Sequence, residues 1–239
     1  MEIPNVYIAA IFTTAIALAV IGGFIAALLK GRTKTAVWLG LISLPEFVIV
    51  FYLIRVPVDK LLQFIFAVPA SGGAIPFAYS LISFFYAPVT EELIKISPFL
   101  IPFFRQQLKT TNKIAVGMTI GLGFGISEMW TIAFWLSHNA LISRLHWHQL
   151  GGYIEERFVA CLLHGMFTII AIQGINKKLL KYVLYTMGLH ALVNLPIFLF
   201  GIGVFQADKN TAAHVLFLYP ILSAITLGIL LVKRYKFLK

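Results

Sequence analysis

The sequence predicts an all-α fold, a polytopic membrane bundle of about seven transmembrane helices built as one integral membrane domain over residues 1–239. Three observations predict it. The chain is 60% hydrophobic and only 12% charged, whereas a soluble domain is roughly 45–50% apolar and about 25% charged. Its mean hydropathy is +0.91. Its apolar residues fall in runs near the length of about 20 residues that a helix needs to cross a bilayer, and its basic residues gather in alternate connections between those runs.

The expected spans are Val6–Leu29, Thr35–Ile54, Phe77–Phe104, Ile114–Ser137, Arg157–Ile175, Tyr182–Phe205 and Ala212–Val232. The first is preceded only by Glu2 and is too long and too poor in flanking basic residues for a cleavable signal. The second is interrupted by Pro45 and Glu46. After it, Leu61–Phe66 reads as a short interfacial helix and Pro-Ala-Ser-Gly-Gly as a flexible turn. The third run is too long for one straight helix and carries Pro88, Pro98 and Pro102, each of which removes a backbone donor and favours a kink.

In the fourth span Gly117, Gly121 and Gly125 recur every four residues, a spacing that lets helices approach closely. Glu128 is close to three full turns beyond Gly117, so it shares that stripe and faces protein. The loop that follows holds His138, His146, Trp147 and His148. It reads as a wet interfacial loop with an aromatic anchor rather than a metal site. Cys161, the sole cysteine, excludes an internal disulfide and reads as a small packing residue. The chain ends without a lipidation box.

A net charge of +10 invites a nucleic-acid reading, but the positions of the charges argue against one. Lys30, Arg32 and Lys34 follow the first span; Arg105, Lys109 and Lys113 follow the third. Lys177, Lys178 and Lys181 follow the fifth, and Lys233, Arg234, Lys236 and Lys239 the seventh. The alternate loops hold Arg55, Lys60, Arg144, Arg157 and Lys209, offset by Asp59, Glu155, Glu156 and Asp208. By the positive-inside rule the N-terminus lies outside and the C-terminus in the cytoplasm. The basic loops face anionic headgroups of the lipid bilayer.

Ionisable groups inside the spans carry the functional reading. A charge at mid-bilayer costs about 2.5–3.5 kcal/mol even on the lenient insertion scale, so such groups are functional candidates by default. They are Glu91, Glu92 and Lys95 in the third span, Glu128 in the fourth, His164 in the fifth and His190 in the sixth. Lys95 is spaced to pair with either glutamate. Adjacent residues point about 100° apart on a helix, so one glutamate pairs with Lys95 and the other is left to face the centre. His190 and Asn194 share a helix face. A carboxylate base, an imidazole and an amide donor together make a site that can activate water. The same groups suit a divalent metal such as zinc, with Glu91, His164 and His190 as ligands, and the spacing does not choose between these two chemistries.

Four segments carry a resemblance: Pro88-Val-Thr-Glu91-Glu92-Leu-Ile-Lys95, Gly121-Leu-Gly-Phe-Gly-Ile-Ser-Glu128, Leu163-His164-Gly165 and Leu189-His190-Ala-Leu-Val-Asn194. In order and placement they resemble the CAAX-protease and bacteriocin-processing superfamily, in particular its PrsW-like branch of glutamic-type intramembrane proteases. Lys95 stands one residue closer than the arginine of the CAAX-processing branch, and Glu128 replaces that branch's histidine region. Both departures speak against prenylated substrates. The resemblance implies a peptidase of a prokaryotic cell membrane that cleaves membrane protein substrates, single-span ones foremost. It implies Glu91 as the base that activates water, held by Glu92 and Lys95. His164 would assist as acid/base or ligand, and His190 and Asn194 would stabilise the oxyanion. Glu128 would be a second acid/base or ligand. The superfamily also has a non-catalytic relative, the scaffold subunit of gamma-secretase.

The competing readings are a rhomboid-like serine protease using Ser127 and His190, a proton-coupled transporter, and a non-catalytic membrane scaffold. No aspartate lies inside a span and no His-Glu-x-x-His occurs, which sets aside aspartyl and site-2 chemistries.

Overall fold

A computed structural model describes residues 4–29, 34–69, 75–108, 111–175, 178–204 and 209–236. The described residues are helical with no strand among them. The long helices are α1 (Asn5–Leu29), α2 (Lys34–Ile65) and α3 (Phe77–Ile96), followed by the short α4 (Pro102–Gln107). Then come α5 (Lys113–Ser137), α6 (Gly151–Gln173), α7 (Leu179–Gly201) and α8 (Lys209–Lys236). Five segments are long and apolar enough to cross a membrane: α1, α2, α5, α7 and Val215–Arg234 within α8. Of the seven expected spans, the two outside this set lie on α3 and α6. These two helices carry Glu91, Glu92, Lys95, Arg157 and His164, which lower their hydropathy. The chain is thus a multi-pass helical membrane protein. Its surface carries large exposed apolar side chains such as Trp38, Leu53, Ile197 and Leu222, as a lipid-facing surface requires.

Two boundaries differ from expectation. α2 does not stop at Ile54. It pauses at Leu44 and Pro45, passes through a π-helical turn over Val50–Arg55 and runs on to Ile65. Leu61–Phe66 is therefore the end of a bent long helix, not a separate one, and Arg55 is helical rather than a loop residue. Arg157, expected on the rim of a loop, is buried in the second turn of α6. The third run breaks at Pro98 and Pro102, as expected, whereas Pro88 lies inside α3 without ending it. α3 ends at Ile96, a 3₁₀ turn covers Ser97–Leu100, and Pro102 opens α4. The end of a span at Phe205, the residues Lys30, Arg32, Lys109, Lys177, Asp208 and Lys239, and the turn after Pro69 lie outside the described residues.

α5 is the central helix, buried along most of its length, with α1, α2 and α6 packed around it. α6 in turn carries α7 and α8. The glycine stripe sets this geometry. A Cβ on Gly121 would sit 2.1 Å from the Gly165 nitrogen, and one on Gly125 would sit 2.9 Å from the Cys161 Cα. At Gly121 and Gly165 the backbones of α5 and α6 touch because neither carries a side chain, while against Cys161 and Ile169 the glycines of α5 alone make the room. Asn112 caps α5, its side chain accepting from the Ile114 and Ala115 amides.

Candidate functional site

The close α5–α6 seam brings Glu128 to His164. His164 Nε2 donates to Glu128 Oε2 at 2.9 Å, and Arg157 Nη1 pairs with Glu128 Oε1 at 3.1 Å. Arg157 also pairs with Glu156. Both partners of Glu128 therefore come from α6, the helix the glycines admit.

On α3, Lys95 pairs with Glu92 rather than Glu91, Nζ to Oε1 at 2.5 Å, both side chains fully buried. Lys95 Nζ also donates to His164 Nδ1 at 3.1 Å. An ammonium only donates, so His164 accepts at Nδ1 and carries its hydrogen on Nε2, facing Glu128. The rings of Phe124 and Phe167 flank the ammonium at 5.0 and 5.8 Å. From α7, His190 Nδ1 donates to the same Glu92 oxygen at 2.8 Å. A carboxylate oxygen only accepts, so His190 Nδ1 holds a hydrogen, and in the neutral imidazole Nε2 then keeps its lone pair. That lone pair faces Glu91, with Nε2 3.7 Å from Glu91 Oε2. Glu92 thus orients His190 and engages Lys95.

Glu91 is the glutamate that faces the centre. Arg55 Nη1, from the π-helical turn within α2, donates to Glu91 Oε1 at 2.7 Å, while Glu91 Oε2 is buried with no hydrogen-bond partner. Burying an oxygen without a partner costs free energy, so an uncompensated atom at the wall of a cavity marks where a ligand or water belongs. Glu91, Glu128, His164, His190 and Asn194 all line one cavity of about 330 Å³. Arg55, Arg157, Ser83 and Phe198 line it too. Lys95 and Glu92 stand behind its wall.

The donor atoms of Glu91, His164 and His190 lie within 4.8 Å of one another, the spacing of a metal-ligand set. The donor set fits zinc in type, two imidazoles and one carboxylate. His190 Nε2 and Glu91 Oε2 are ready to ligate, and Glu92 on the far nitrogen of His190 is the kind of outer partner that ligating histidines have. His164 would exchange its bond to Glu128 for the metal. The histidines of the α5–α6 loop form no such set among the described residues: His146 and His148 stack on each other and Trp147 stacks on Phe12.

Three groups of consequence escape sequence reading. Arg55 and Arg157 look like loop charges until the helices are seen to extend past them. Glu46 is buried 3% exposed beside Phe47, with neither carboxyl oxygen partnered; its place in the second span was its one signal. Ser127 is buried, but it lines a separate groove with Leu44, Val48 and Thr131, away from the cavity that holds His190. No protein-family model matches the chain, and no curated protein or solved structure does either.

Proposed function

We propose that this protein is an intramembrane peptidase that hydrolyses peptide bonds of membrane protein substrates, single-span ones foremost, with water activated by Glu91. The observation that carries the reading is the buried, unpartnered Glu91 Oε2 facing the His190 Nε2 lone pair at 3.7 Å in a cavity inside the bundle. Two acceptors at that separation hold one water between them and take its proton as it attacks a carbonyl. The PrsW-like resemblance of the sequence points the same way. It also favours a prokaryotic cell membrane, and the alternation of basic residues favours an N-terminus outside and a C-terminus in the cytoplasm.

Glu91 is the base, and His190 is the second acceptor, aligned by Glu92. The proton that Glu91 takes from water is the one it returns to the leaving amine; the hydrogen-bonded pair of His164 and Glu128 lines that route, and Lys95 keeps the His164 tautomer that donates toward Glu128. Asn194, one turn past His190 on the cavity wall, offers amide hydrogens to the oxyanion. His190 cannot share that duty in this tautomer, because its one hydrogen is committed to Glu92. A zinc ion held by Glu91, His164 and His190 would supply Lewis-acid activation of the same water.

Ser127 and His190 line different cavities, which speaks against the dyad that a rhomboid-like mechanism needs. The test is a reconstitution. The purified protein is placed in liposomes with a panel of single-span peptides carrying a dye and a quencher on opposite flanks. Wild type should cleave a subset. Glu91→Gln should insert and melt like wild type and lose roughly two or more decades of rate, the range that loss of a general base costs. Chelator treatment and zinc add-back in the same liposomes separate the metal-free from the metal-assisted form. Wild-type rates from the Glu91→Gln protein would overturn the proposal, as would proton flux without any cleavage.

A further inference from the structure

We infer that Arg55 is a catalytic residue of this site, the second donor to the oxyanion. The inference rests on the peptidase reading above. A tetrahedral intermediate is stabilised by fixed donors aimed at its oxygen. The cavity wall supplies neutral donors in Asn194, Ser80 and Ser83, and a cationic donor there is stronger than any of them. His190 is excluded because its hydrogen goes to Glu92. Of the cations on the wall, Arg157 is bound by Glu128 and Glu156 together. Arg55 remains.

Its placement suits the task. A guanidinium carries five N–H donors in a planar fork, and Glu91 engages it at Nη1 alone. The side chain lines the cavity and keeps 24% of its surface exposed. Its central carbon lies 5.9 Å from the Phe47 ring and 5.7 Å from the Phe51 ring, and Tyr86 donates to its backbone carbonyl at 2.8 Å. Glu91 and the two rings thus hold the guanidinium and Tyr86 holds the backbone beneath it, while part of the side chain stays exposed. Single π-helical turns inside α-helices are frequent at functional sites, and Arg55 closes such a turn, Val50–Arg55. The same carboxylate that touches Arg55 through Oε1 faces His190 through Oε2. A peptide carbonyl attacked by water at Oε2 therefore develops its negative charge within reach of the fork.

The experiment uses full-length protein in the liposome assay, with whichever quenched single-span peptide wild type cleaves. Arg55→Ala should lower kcat on the order of 10²-fold, as loss of one oxyanion donor does, with KM changed less than about threefold. Methylguanidinium added to the Arg55→Ala liposomes should restore at least about tenfold of the lost rate, a rescue that a merely structural clamp between α2 and α3 would not show. Arg55→Lys, which keeps the charge and loses the fork, should fall between the two. Should Arg55→Ala fail to insert, Arg55→Lys decides alone: a kcat at least fivefold below wild type supports the role and an unchanged kcat overturns it. Wild-type kcat in Arg55→Ala, or a loss that methylguanidinium leaves untouched, overturns it while Glu91→Gln stays inactive. An active Glu91→Gln protein overturns the peptidase reading instead.

Discussion

The α5–α6 seam and the α3–α7 boundary solve the same problem in opposite ways. Along the seam, glycines let two backbones meet with no space left between them. Across the boundary, ionisable side chains of α3 and α7 meet at a cavity of about 330 Å³, and two carboxylate oxygens, Glu91 Oε2 and Glu92 Oε2, are left without a partner. The seam is a clamp and the boundary is a workplace. The difference teaches that polar chemistry inside a membrane bundle needs a rigid apolar neighbour to hold it. Glu128 and His164 meet across the seam, yet both line the cavity.

The most damaging way to break this comparison is to thicken the seam. Gly121→Leu places a branched side chain where even a Cβ would stand 2.1 Å from backbone. The α5–α6 pair should separate, with loss of folded protein in a detergent melt and loss of all cleavage. Native melting of this variant would show that the seam is looser than the packing requires.

A smaller effect is expected behind the cavity wall. Lys95→Met leaves Glu92 buried without its ammonium, and breaking a buried pair from one side costs about 3–5 kcal/mol. Replacing both partners with apolar residues of similar volume should recover most of that stability and none of the activity, because Glu92 also orients His190. Thermal or denaturant unfolding of the single and double variants checks the first half, and the peptide assay checks the second. A double variant that cleaves normally would mean His190 needs no orienting partner.

The smallest effect sharpens the comparison. Ser127 lies on α5 but opens to the other groove. Ser127→Ala should change stability by no more than about 0.5 kcal/mol and leave cleavage rates unchanged. A rate loss there with intact folding would return the serine mechanism to contention.

The ionisable residues of the cavity were legible in the chain because hydrocarbon penalises each of them. Glu91, Glu128, His164 and His190 stand out against apolar runs, and the glycine spacing places Glu128 on the face that meets protein. The arginines were not legible. Arg55 and Arg157 sit at the ends of apolar runs, where a charge is ordinary, and only the extension of α2 and α6 past those ends turns the side chains inward. The separation of Ser127 from His190 was equally hidden, since both lie inside spans and spacing along two helices does not state how the helices are rotated against each other.

Composition and hydrophobic run length determined by themselves that this chain is a helical membrane bundle, because a backbone in hydrocarbon must satisfy its own hydrogen bonds and helices do so locally. Local spacing also determined that Lys95 pairs on its own helix. Which glutamate it takes, which histidine nitrogen stays free, and that Arg55 holds Glu91 were decided only in the tertiary structure. Those outcomes depend on the approach and rotation of separate helices, which are set by contacts between residues as distant in sequence as Glu92 and His190.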